Sequence, residues 1–98
     1  MSVAPFDVHV VAAGRDAAVY DIAAQLAGDL ETAGLDVLYD DRPKVSPGVK
    51  FGDAEIVGIP EIVIVGRGAT GGEVELWDRR SGDRELVSVA EALAQLRR

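Results

Sequence analysis

Apolar residues recur with two different periods along this 98-residue chain, and the switches between them divide it into elements. Phe6 to Ala12 is Val-rich and loosely alternating, which predicts a strand that ends before Gly14. Asp16 is placed to cap a helix whose apolar stripe is Val19, Ile22, Ala23, Leu26, Leu30 and Ala33, with Gly34 as the residue just past its end. Asp36 to Tyr39 reads as a short second strand running into polar residues. Pro43 and Ser46-Pro47-Gly48 mark a loop, and Ser46 followed by Pro47 suits the start of a second helix over about 47–57, stopped by Gly58. Glu61 to Val65 is almost wholly apolar, as expected of a central strand covered on both faces. Glu73 to Trp77 alternates strictly, Asp78 to Asp83 is a turn, and Arg84 to Val87 returns as a strand. Ser88 and Glu91 form a capping box ahead of Ala92, Leu93 and Leu96.

The predicted order is β-α-β-α-β-β-β-α, over residues 1–98 as a single domain. It implies a three-layer α/β fold with three helices. Its mixed five-stranded sheet has three parallel strands and an antiparallel hairpin. A β-α-β start implies a right-handed crossover between parallel neighbours. Ligands of such sheets sit beyond the carboxyl ends of the parallel strands, at the loops carrying Gly14-Arg15-Asp16 and Asp40-Asp41-Arg42.

Composition refines this picture. A hydrophobic fraction of 48% supports a packed core. The chain has no cysteine, which excludes a disulfide framework and thiolate metal sites. No signal-peptide pattern opens the chain, and no apolar stretch approaches the roughly 20 residues that cross a bilayer. The expected location is the cytoplasm, without a membrane partner. Seventeen acidic against ten basic residues give a charge of −7, which argues against a broad phosphate-gripping surface. Any nucleic-acid contact has to be local, resting on a few cations and on polar groups that read bases.

Several motifs fail on their chemistry. Gly66-Arg67-Gly68-Ala69-Thr70-Gly71 matches a dinucleotide fingerprint, but strand periodicity follows it where a helix N-terminus has to face the pyrophosphate. His9 is the single histidine and lacks a cysteine or nucleophile-elbow partner. Asp40 and Asp41 are adjacent at a strand end, so they point to opposite faces and do not form a carboxylate dyad. No catalytic residue, cofactor site or metal site is expected.

The stretch after the second strand is different. Arg42, Lys44 and Lys50 cluster around a predicted helix N-terminus, whose free N–H groups suit a phosphate, and Phe51 could stack on an unpaired base or pack in the core. Asp40-Asp41-Arg42, Pro47-Gly48-Val49-Lys50-Phe51, Asp53-Ala54-Glu55 and Gly58-Ile59-Pro60 together resemble the C-terminal anticodon-binding domain of bacterial prolyl-tRNA synthetases. That family reads D-D-R, then P-G-x-K-F-x-D-x-E, then G-I-P, in this region.

The resemblance implies a domain of a larger class II ligase that joins proline to its tRNA with ATP and magnesium. The catalytic motifs lie upstream and outside this chain. It further implies a tRNA anticodon loop as partner, contact with the catalytic domain of the same enzyme, and a parent that is a homodimer through that domain. The prolyl anticodon carries two guanines, whose Watson–Crick edges present paired N–H donors suited to carboxylates. The implied anticodon contacts are Asp40, Asp41, Arg42, Lys50, Phe51, Asp53 and Glu55. Two other readings compete: a stand-alone domain that serves as a protein-interaction or accessory subunit, and a small flavodoxin-like ligand-binding domain.

Overall fold

A computed structural model describes residues 6–13, 16–41, 49–50, 52–53, 56 and 58–97. The chain runs through β1 (Val8–Ala12), α1 (Ala17–Thr32), β2 (Val37–Asp40), β3 (Glu61–Val65), a 3-10 turn (Arg67–Gly71), β4 (Glu73–Asp78), β5 (Arg84–Ser88) and α2 (Val89–Leu96). The strands form one sheet in the order β2-β1-β3-β4-β5. β1 pairs in parallel with β2 and β3, while β4 is antiparallel to β3 and β5. This is the mixed five-stranded α/β sheet that the apolar periods predict.

Two points differ from the sequence expectation. The described residues form two continuous α-helices rather than three, and a 3-10 turn stands between β3 and β4. Over the predicted 47–57 helix, Val49, Lys50, Gly52, Asp53 and Ile56 have helical backbone, and the rest of that span lies outside the described residues. The 3-10 turn arises from Gly66 to Gly72, where Gly72 closes it at φ +90°, a conformation that favours glycine. β4 starts directly after this turn, so a strand follows the glycine run, as the strict alternation of Glu73 to Trp77 predicts.

Local signals set the ends of α1 and α2. Asp16 accepts a hydrogen bond from Ala18 N at 3.0 Å, and Gly34 follows α1 at φ +96°. Ser88 Oγ accepts from Glu91 N at 3.0 Å, completing half of the capping box; the Glu91 carboxylate accepts from Gln95 Nε2 instead.

The main core lies between one sheet face and these two helices. Val8, Val10, Ala12, Val63, Val65, Val74, Leu76 and Val87 meet Val19, Ala23, Leu26, Leu30 and Ala92. On the opposite face Val11, Ile62, Ile64 and Trp77 form a smaller cluster. His9, on that same face of β1, is buried as a packed residue. Among the described residues no helix is long and apolar enough to cross a membrane.

Candidate functional site

The parallel strands β1, β2 and β3 end together at Ala12, Asp40 and Val65, so the groups beyond them share one edge of the sheet. Val11 pairs with Asp40 and with Ile64, while Ala12 pairs with Val65. Asp40 is the last residue of β2 rather than part of the following loop, and it is only 9% exposed. Asp41, one residue on, is exposed. The two neighbouring carboxylates thus differ in burial.

Lys50 sits at this edge in an unexpected way. Its ammonium donates to the carbonyl oxygen of Ala12 at 2.7 Å, and the residue is 1% exposed. The same nitrogen lies 5.4 Å from the centroid of the Tyr20 ring, in the first turn of α1. Among the described residues Lys50 is the largest fully buried side chain. Its charged head is taken out of water, where it needs partners, and a strand-end carbonyl and an aromatic face supply them.

Tyr39 extends the arrangement to β2. Its hydroxyl donates to the Tyr20 carbonyl at 3.1 Å. Burial, followed by the negative charge of Asp41, raises the Tyr39 phenol above its ordinary value, with smaller contributions from Tyr20 and Asp21. The phenol is thereby held as a donor. Tyr20 thus links Lys50 on one side to the strand that delivers Asp40 and Asp41 on the other.

Of the residues that the sequence nominates, Asp40, Asp41, Lys50 and Asp53 are described. Asp40 and Lys50 meet the ends of neighbouring strands, Asp41 faces solvent, and Asp53 is half-buried with helical backbone. Arg42, Phe51 and Glu55 lie outside the described residues. Sequence reasoning passed over Tyr20 and Tyr39. The signal available was that they are the chain's two tyrosines, one in the first turn of α1 and one directly before Asp40.

Residues 7–98 match the family described as Anticodon binding domain. The chain is 64% identical over 95 residues to the proline–tRNA ligase of Leifsonia xyli subsp. xyli, covering 97% of this chain and 16% of that protein. It is 60% identical over 95 residues to the proline–tRNA ligase of Clavibacter sepedonicus, again covering 97% of this chain and 16% of the relative. With the proline–tRNA ligase of Paenarthrobacter aurescens the identity is 62% over 92 residues, 94% of this chain and 15% of the relative. The chain therefore spans about 16% of the length of the curated relatives it matches.

Proposed function

The chain belongs to the anticodon-binding domain family, and on that premise we propose that it recognises the anticodon loop of a proline tRNA for a proline–tRNA ligase. The remainder of that enzyme would carry the chemistry, activating proline with ATP and magnesium and joining it to the tRNA. This domain would contact the catalytic part and act in the cytoplasm, and the ligase would be a dimer through its catalytic part.

The observation that carries the reading is the match to proline–tRNA ligases across 97% of the chain. The placement of Asp40 and Asp41 at the carboxyl edge of the parallel strands supports it. Exposed Asp41 can accept the paired N–H donors of a guanine Watson–Crick edge, which suits a strongly acidic domain that offers few cations to phosphates. Asp40, buried at the end of β2, and half-buried Asp53 enter as further acceptors on the sequence pattern. Arg42, Phe51 and Glu55 enter on the sequence pattern alone.

The test is tRNA binding by the full-length ligase. Asp41→Ala and Arg42→Ala each lose about 1–3 kcal/mol of affinity for proline tRNA while the thermal melt is retained. Wild-type affinity in both variants at moderate salt would refute the assignment of this edge.

A further inference from the structure

We propose that Lys50 is a positioning residue of the tRNA site, one that ties residues 49–50 to the end of β1 and does not itself touch RNA. The proposal rests on reading this edge as a tRNA-binding surface. By sequence pattern alone Lys50 is a natural phosphate or base contact. The structure gives that ammonium another occupation. It is 1% exposed and donates at 2.7 Å to the carbonyl of Ala12, the last residue of β1. Reaching a phosphate would require breaking a charge-assisted hydrogen bond and leaving both partners to find new ones at a crowded strand end.

The position of the contact explains what it achieves. Val49 and Lys50 are helical, and their exposures are opposite: Val49 is 53% exposed while Lys50 is buried. Anchoring Lys50 therefore fixes which side of this stretch faces the sheet. Gly52 and Asp53 also have helical backbone, and Asp53 is half-buried. The anchor is itself held: the Tyr20 ring lies 5.4 Å from the ammonium, and the Tyr20 carbonyl accepts from Tyr39, the residue before Asp40. One lysine thus connects residues 49–50 to the end of β1 and the first turn of α1 and, through Tyr20, to the strand that delivers Asp40 and Asp41.

A direct phosphate contact and a positioning contact differ in their response to salt. Losing a phosphate contact lowers the slope of log affinity against log salt by about one, whereas losing a positioning contact weakens binding with the slope unchanged. The experiment uses the full-length ligase and proline tRNA, with Lys50→Ala, Lys50→Met, Asp41→Ala and Val87→Ala compared over a salt series.

Lys50→Ala is expected to weaken binding about tenfold, the equivalent of one lost charge-assisted contact, with the wild-type slope. Lys50→Met, which fills similar volume without donating to Ala12, is expected to lose less, again with the wild-type slope. In charging assays the KM for tRNA rises and proline activation is unaffected. Val87→Ala, a core-facing residue of β5, lowers Tm but leaves tRNA affinity alone, which separates positioning from simple loss of stability. A slope reduced by about one in either Lys50 variant would overturn the proposal in favour of direct contact. Wild-type affinity in both Lys50 variants, or a Val87→Ala affinity loss matching that of Lys50→Ala, would also overturn it. If Asp41→Ala alone binds normally, the assignment of this edge fails for that carboxylate and the Lys50 result stands on its own.

Discussion

The two ends of the sheet handle charge in opposite ways. At the carboxyl edge of β1–β3, Lys50 and Asp40 are withdrawn from solvent, and the contacts of Lys50 span distant parts of the sequence, from residue 12 to residue 50. Around the β4–β5 hairpin, charges pair with one another in the open. Arg80 lies 3.3 Å from Glu61 and 3.6 Å from Asp78 with its side chain 73% exposed, and Arg84 lies 3.4 Å from Glu75. Exposed pairs of this kind hold little energy because water and salt screen them. A buried charge is costly unless its surroundings are fixed, so it commits the chain to one arrangement. The hairpin end leaves its charges paired in water, while the carboxyl edge fixes the placement of a few polar groups.

Removing the apolar anchor of the hairpin end makes the sharpest break in this comparison. Trp77 is buried between two guanidinium groups, with Arg84 3.9 Å and Arg79 4.7 Å from its ring centroid. Trp77→Ala is expected to destabilise the domain by about 3–5 kcal/mol, read by urea denaturation. In whatever fraction remains folded, the affinity of the full-length ligase for tRNA is expected to match the wild type. A loss of affinity in the folded fraction would mean that the two ends are not functionally separate.

At the opposite edge, Tyr39→Phe deletes only the hydroxyl that donates to the Tyr20 carbonyl. The expected loss is about 1 kcal/mol at neutral pH, the usual net value of one hydrogen bond. The pH dependence has a definite sign. The Tyr39 phenol is raised in the folded state, so its contribution is fully present below the ordinary tyrosine value and is lost as pH rises through the folded one. Stability curves of the wild type and Tyr39→Phe should therefore converge at strongly alkaline pH. Parallel curves would show that burial and the charge of Asp41 do not act on this group.

The sheet was legible because its signals are local and periodic. Glu61 to Val65 reads as a buried central strand from five residues, and Asp16, Gly34 and Ser88 mark helix ends through their own side chains or conformations. The 3-10 turn at Arg67–Gly71 was less legible, since a glycine run specifies a break but not the hydrogen bonds that fill it. The site was legible in place but not in roles. Adjacent aspartates at a strand end announce an edge, though not that the two differ in burial. Nothing in a lysine's identity says that its ammonium will be met by a carbonyl 38 residues earlier, at Ala12. That contact exists only after the β1-α1-β2 crossover has brought Tyr20 and the end of β1 together.

The smallest expected effect belongs to the hairpin turn. The Asp78 carboxylate accepts from Arg80 N at 2.9 Å and from Ser81 N at 3.4 Å. These backbone donors, that of Arg80 foremost and with help from the Arg80 guanidinium, hold its carboxyl below the usual range. A depressed carboxyl adds stability above its unfolded value and loses it as pH falls through the folded value. Asp78→Asn keeps an acceptor for the turn and removes only the charge. It should be slightly less stable than the wild type at neutral pH and indistinguishable from it in strong acid, with unchanged tRNA affinity throughout. A gap that persists in acid would show that the carboxylate's contribution is geometric. A change in tRNA affinity would place RNA contact at the hairpin and abolish the division of labour between the two ends.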